Sequence, residues 1–499
     1  ITALDLNNWD TSNVISFGNT YWSYGGMFQD CISLEELKIE NWNMAQAKDI
    51  SSMFRSCKSL TNISLNKWNT NNIEQMQYVF SNCTQLVKIE LGELDTSNVK
   101  SMNNMFNNCT ALSTLDLKKW NTGNVTGMQG MFQNCKSLLE LDVSGFNTSQ
   151  VTGMGNMFEG CSELLALNVK KWDTSNVTNM RWMFSGCKKL TTLDVNEFET
   201  TKVTKMDGMF YDCSTLTELD LSGFNTSQVT DMSNMFKRCA SITVLELSNF
   251  DTSKITTFLG MFSECSQLKK LNLANWDVSN ATSFGRDGWS YGGMFQNCSQ
   301  LTDLNISNWN MGSAEDITNM FYGCASLQTI NLENINWQNV KYMASLFQEC
   351  SSLISVDLST SNIKKVENMS KIFSNCGELQ DIKFANIDTS NLTNMRNMFF
   401  ECKKISKLDL SNFNTENVTN MLCTFESCEN LTDLNISGFN TQNVTDMGSM
   451  FHNCISLTEI DLSSFDTKSV ANTASMFYQC KNLKTIYVKE YDSTNNTGW

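Results

Sequence analysis

Eighteen of the nineteen cysteines in this 499-residue chain fall on one register. They run every 26 residues from Cys31 to Cys265 and again from Cys298 to Cys480; the step between the two runs is 33, and Cys423 alone is out of register. A thiol can hold a metal, form a disulfide or act as a nucleophile, and each use needs partners. Collinear thiols do not make a tetrahedron, and the chain has one histidine, so no metal site is expected. A disulfide reading has more behind it: rungs about 4.8 Å apart lie within bridging distance, and the column is even in number. Against it, side chains pointing the same way from successive rungs would have to swing out of the regular spacing. That spacing favours reduced, buried thiols packed as small apolar groups. Cys423, in the variable stretch before Phe425, is expected to be the accessible thiol. One histidine also removes most acid–base machinery near neutral pH. No Ser/His/Asp set, paired-carboxylate motif or phosphate loop stands out, so neither an enzyme nor a cofactor is expected.

The elements that carry these thiols follow from apolar periodicity. In the unit Cys213 to Arg238, Leu219 and Leu221 alternate around Asp220, which predicts a short strand. Val229, Met232, Met235, Phe236 and Cys239 lie at 0, 3, 6, 7 and 10, which predicts a short helix. A Phe fills the position of Phe236, and a Leu or Ile that of Leu216, in all eighteen units. One unit buries too little apolar surface to offset the ordering of 26 residues, so neighbours must stack into a solenoid. The expected fold is an α/β repeat solenoid of about 18 units, each a short strand plus a short helix, continuous over residues 1–492, with an irregular tail at 493–499.

The segment Leu-x-x-Leu-x-Leu at Leu216, Leu219 and Leu221 resembles the strand of leucine-rich repeats. The pattern Val-Thr-x-Met-x-x-Met-Phe-x-x-Cys-x-x-Leu, at Val229 to Ile242 and Val444 to Leu457, is similar to the bacterial surface protein 26-residue repeat, that is, to BspA-like leucine-rich repeat proteins. The resemblance implies a right-handed superhelix and display on a cell surface or secretion, often as an adhesin. Plain leucine-rich repeats place Asn or Cys where this chain has Phe224 or Trp172, so their asparagine ladder does not carry over to that position.

Two polar columns accompany the core. The first, Asp10, Asn43, Asn69, Asp95, Asn121, Asn147 and Asp173 onward, is acid or amide in every unit, with one Glu at Glu199. Asp and Asn share an oxygen acceptor, which fits an Asx turn or an N-cap; a row of calcium ligands is the other reading. The second lies between the strand leucines and includes Asp116, Asp142, Asp194, Asp220 and Glu246. It reads either as a solvated strand face or as a concave acidic strip for a cationic partner.

Two breaks interrupt the repeat. SFGNTYWSYGGMF at Ser16 to Phe28 returns as SFGRDGWSYGGMF at Ser283 to Phe295, each with the same seven-residue insertion. A duplicated block with super-repeats 1–267 and 268–492 is expected. Trp22, Tyr24, Trp289 and Tyr291 would then sit on two aromatic loops ten turns apart, on the order of 50 Å along the arc. Such loops are candidate carbohydrate or protein contacts, and alternatively fold back to fill a groove. The chain opens inside a unit, which leads us to expect a piece of a longer protein.

The charge balance is 36 Lys+Arg against 52 Asp+Glu, a net −16, which disfavours nucleic acid. No apolar run is long enough for a membrane-spanning helix. The functional expectation is a non-enzymatic extracellular or cell-surface scaffold that binds a protein or carbohydrate ligand on another cell or matrix. The alternative is self-association as a structural subunit of an extracellular filament or sheath. Asn-x-Ser/Thr sites such as Asn124 and Asn176 are candidate glycosylation acceptors.

Overall fold

A computed structural model describes residues 1–19, 25–286, 292–307, 309–333, 335–384 and 387–489. The chain divides into two compact units, Ile1–Phe250 and Asp251–Trp499. Each is a β-solenoid of stacked turns.

In the first unit the Leu-x-Leu strands pair in parallel: β1 (Ala3–Asp5) with β2 (Glu36–Lys38), β3 (Asn62–Ser64) with β4 (Lys88–Glu90), and β5 (Glu140–Leu141) with β6 (Ala166–Leu167). In the second unit β7 (Lys270–Asn272) pairs with β8 (Asp303–Asn305), β9 (Ser355–Asp357) with β10 (Asp381–Lys383), β11 (Lys407–Asp409) with β12 (Asp433–Asn435), and β13 (Glu459–Asp461) with β14 (Thr485–Tyr487). Registers are set by leucine over leucine, as in Leu4 over Leu37 and Leu408 over Leu434. A second parallel ladder runs on the opposite side, one bridge per turn. In the first unit it is unbroken through Ser16, Asp49, Gln75, Ser101, Gly127, Gly153, Asn179, Lys205 and Asp231.

The predicted helices are not formed: among the described residues the Met-x-x-Met-Phe-x-x-Cys segment is a run of β-turns. From Ile50 to Cys57, every other N–H closes a turn onto the carbonyl three residues back: Met53 to Ile50 (3.1 Å), Arg55 to Ser52 (3.0 Å) and Cys57 to Phe54 (3.1 Å). The intervening N–H groups of Ile50, Ser52, Phe54 and Ser56 donate to the next turn, at Gln75, Gln77, Val79 and Ser81. An α-helix would turn the N–H groups after its first turn, those of Phe54 and Ser56 among them, onto its own carbonyls and so remove them from the neighbouring turn. The alternation requires left-handed residues: Ser52 (φ 57°) and Ser56 (φ 61°) here, and two such columns in the repeat. Asn104, Asn108, Asn134, Asn156, Gly130 and Gly160 fill those columns because Asn and Gly tolerate that conformation best.

The inward set is the expected one. Val229, Met232, Met235, Phe236 and Cys239 are all fully buried. The column phenylalanines stack ring on ring, with centroids 5.3 Å apart for Phe54 and Phe80 and 5.8 Å for Phe80 and Phe106, the planes within 12° of parallel. The Trp or Phe before the first polar column closes the other end of the core. In several turns its indole N–H reaches a carbonyl just past the strand of the preceding turn, as from Trp68 to Ile39 (2.9 Å) and from Trp172 to Val143 (3.2 Å).

Candidate binding surfaces

Most of the polar columns are consumed by the stack itself. In all eighteen units the first column accepts the backbone N–H two residues on, at 2.9 to 3.4 Å, whether it is Asp, Asn or Glu199. This is the Asx turn of the first reading. Hydrogen bonds from Ser12 and Ser175 hold the Asp10 and Asp173 carboxyls below their ordinary range. Among the described residues no cluster of three or more His, Cys, Asp or Glu is placed to hold a metal ion.

The Thr that follows is buried, and its hydroxyl donates to the carbonyl of the first-column residue one turn on: Thr148 to Asp173, Thr174 to Glu199 and Thr200 to Asn225, each 2.9 Å. Asn225 N–H returns a bond to Thr200 Oγ1 at 2.8 Å. Two residues later an asparagine donates its Nδ2 to the preceding turn, as Asn98 to Asn71 (2.7 Å), Asn124 to Ser97 (2.7 Å) and Asn176 to Ser149 (2.8 Å). The asparagine ladder therefore exists, shifted to a different column and joined by a threonine ladder. It also engages the amides of Asn124 and Asn176, the candidate glycosylation acceptors.

The cysteines form a third ladder. All nineteen are free. Cys57, Cys83 and Cys109 direct their thiols onto the carbonyls of Phe28, Phe54 and Phe80, at 3.0 to 3.1 Å, and the pattern recurs down to Cys480 on Phe451. Burial pushes the thiols of Cys161 and Cys213 up to about 12. Cys423 is half-buried at a left-handed position (φ 56°), and burial, with Glu426 second, also pushes it up to about 12. The exposed thiol is Cys31, whereas Cys423, expected to be the accessible one, is half-buried.

The acidic strand column faces outward: Asp116, Asp142, Asp194, Asp220 and Glu246 are all exposed. Its aspartates also cap their own turns. Asp116 accepts from Lys118 N–H (3.1 Å), Asp142 from Ser144 (3.1 Å) and Asp220 from Ser222 (3.0 Å). Asp194 pairs with Lys170 at 3.1 Å. Two hollows bring four of the five together: Asp142 with Asp194, and Asp220 with Glu246; Asp116 lies outside both. Sequence reasoning passed over the apolar part of this face. Leu139, Leu165 and Val244 are 45 to 51% exposed on it. The available signal was an aliphatic residue at Leu139 and Leu165 where the same column reads Thr191, Thr217 and Thr243.

Trp22, Tyr24, Trp289 and Tyr291 lie outside the described residues. The necks of both insertions are built alike. Met27 N–H bonds Phe17 carbonyl (2.9 Å) and Met294 N–H bonds Phe284 carbonyl (2.7 Å). Gly26 and Gly293 abut the next turn so closely that a Cβ on either would fall 1.8 Å from a backbone oxygen, of Ser52 and of Asn319.

Stacked turns held by internal ladders, with exposed columns that vary from turn to turn, define a repeat scaffold. The chain belongs to the family described as "Mycoplasma protein of unknown function, DUF285", whose model matches residues 2–89, 60–166, 137–244, 214–286, 290–408 and 393–497. This family bears out the likeness to BspA-like repeats. Solved structures similar to the chain include a leucine-rich repeat protein of Bacteroides ovatus, 18% identical over 85% of each chain with a TM-score of 0.32. Another, from Eubacterium ventriosum, is 18% identical over 64% of this chain and 84% of its own, with a TM-score of 0.36. A third, from Leptospira interrogans, is 13% identical over 84% of this chain and 87% of its own, with a TM-score of 0.24. Among functionally curated proteins none matches. No helix among the described residues is long and apolar enough to cross a membrane.

Proposed function

We propose that the chain is a non-enzymatic binding scaffold, displayed at a cell surface or secreted, that contacts a protein or carbohydrate through its strand face and its two aromatic insertions. The observation that carries this reading is how the polar groups are divided. Buried Thr and Cys side chains, and asparagines at the rim, are spent on the ladders, while what differs from turn to turn faces outward, as Leu165, Thr191, Thr217 and Thr243 do in one column. Such a division leaves the outer columns free to vary without cost to the fold. The single histidine, His452, forms a half-buried pair with Glu426 at 2.9 Å and lies at a tilt beside Tyr478. The family resemblance supports the extracellular placement.

The test replaces Trp22 and Tyr24 by Ala, then Trp289 and Tyr291, and measures binding to host cells and to an array of glycans and matrix proteins alongside the melting temperature. Binding lost at an unchanged melting temperature supports the contact role. A lowered melting temperature with intact binding returns the aromatic residues to a packing role. An array on which the unaltered chain finds no ligand overturns the scaffold reading.

A further inference from the structure

Between residues 139 and 249 the strand face changes character. After β5 and β6, residues 191–195 and 217–221 form no strand. The two turns remain joined there by Thr217 N–H on Thr191 carbonyl, at 3.2 Å. Leu219, whose counterparts Leu193 and Leu245 are only 5% and 4% exposed, is partly uncovered. Two hollows open along this stretch. One, of about 510 Å³, is lined by Glu140, Asp142, Leu165, Asn168, Lys170 and Asp194 among others. The second, of about 440 Å³, is lined by Thr217, Glu218, Leu219, Asp220, Val244 and Glu246 among others.

Both hollows combine aliphatic surface with carboxylates. Leu165 is 51% exposed and Val244 50%. The first hollow has three carboxylates and one cation, Lys170, already tied to Asp194 at 3.1 Å. The second has three carboxylates and no cation among its lining residues. Hydrogen bonds from Ser144 and Ser222 hold the Asp142 and Asp220 carboxyls below their ordinary range. Leu165 and Val244 stand on turns three apart, about 14 Å at the usual rung spacing, which four to five residues of extended chain span at about 3.3 Å each.

We propose that this strip binds an extended basic segment of a partner protein. Aliphatic side chains of the segment sit over Leu165 and Val244, and its lysines or arginines face Glu140, Asp142, Glu218, Asp220 and Glu246. Charge complementarity selects a cationic occupant. The aliphatic seats select a peptide over a polyamine or an inorganic cation, because only a peptide covers apolar area and pairs charge at the same spacing. This inference rests on the binding-scaffold reading and supplies its partner chemistry.

The experiment titrates the whole chain into a fluorescent octapeptide, Lys-Leu-Arg-Lys-Val-Lys-Leu-Arg, and reads anisotropy. Two control peptides replace the aliphatic residues by Ser or the basic residues by Glu. Saturable binding of the first peptide is expected, with affinity at least about tenfold lower for either control. Glu218→Lys with Glu246→Lys should weaken binding about tenfold or more, and Leu165→Ser with Val244→Ser about threefold or more. Glu378→Lys with Glu416→Lys, an equal charge change on exposed residues of the second unit, should leave it unaltered. Binding that ignores both strip variants, or that falls with charge but not with loss of Leu165 and Val244, overturns the proposal in favour of diffuse attraction to an acidic protein. If the peptide fails while the chain still binds a matrix protein or glycan on the array, this inference alone falls. If both fail, the scaffold reading falls with it.

Discussion

At the scale of single residues, the stack depends on small side chains that bond across turns. Thr200 is fully buried, donates to Asn225 carbonyl and accepts from Asn225 N–H. Thr200→Val keeps the shape and orphans both backbone groups, so it should cost about 1–3 kcal/mol, whereas Thr200→Ser should cost less. The midpoint of urea unfolding measures both. The thiol ladder adds a pH dependence. Cys161 and Cys213 rise from an ordinary value of 9.0 to about 12 in the fold, so between those limits the folded chain keeps protons that the unfolded chain has lost. The contribution of these thiols should be flat below about pH 9 and fall toward pH 12, by about 1.4 kcal/mol per pH unit for each. Melting curves from pH 7 to 11 should show this loss, and Cys161→Ala with Cys213→Ala should reduce its slope even if the variant melts lower at pH 7.

At the scale of the elements, the sequence carried the strand and the inward set but misdirected the reading of the other half. Val229, Met232, Met235 and Phe236 sit at helical spacing and are buried as a helix would bury them. Spacing reports which side chains face inward, and a run of turns can present the same ones. The discriminating signal lay between the apolar residues, where Asn, Gly and Ser recur at two fixed positions. These are poor helix formers and good left-handed ones. Lys371, exposed at φ 59°, separates the two structures by experiment. In a helix, Lys371→Gly would cost about 1 kcal/mol and Lys371→Ala would be neutral or stabilising. In the observed turn Gly should be tolerated at least as well as Lys, and Lys371→Val should lose about 1–2 kcal/mol. Chemical denaturation of the three variants gives the order directly. The candidate site was legible in part. Asp142, Asp194, Asp220 and Glu246 were visible as a column, but the hollows around them arise where the ladder opens, and a repeat pattern carries no mark of which turns pair.

At the scale of the molecule, each turn bonds its neighbours with the same set of contacts, so a whole turn is a removable part. Deleting residues 137–162, one 26-residue period, brings Lys136 to Glu163 and leaves Phe132, Leu164 and the Thr and Asn ladders in register. The shortened chain should fold, whereas deletion of half as many residues should not; circular dichroism and a cooperative melt distinguish the outcomes.

The turn-side bonds have one further property. Ile50, Ser52, Phe54 and Ser56 all send their N–H groups forward to the following turn, and Met76, Tyr78, Phe80 and Asn82 do the same toward Ser101, Asn103, Met105 and Asn107. Peptide dipoles in these columns therefore add head to tail, as they do in a helix, but in the reverse sense. The positive pole of each such column points toward the C-terminal side and the negative pole toward the N-terminal side. Each unit is thus electrically polar along its stacking direction, whatever the sum of its side-chain charges. A group packed against one of these columns is sorted by sign, with anions favoured where the amides emerge and cations where the carbonyls do.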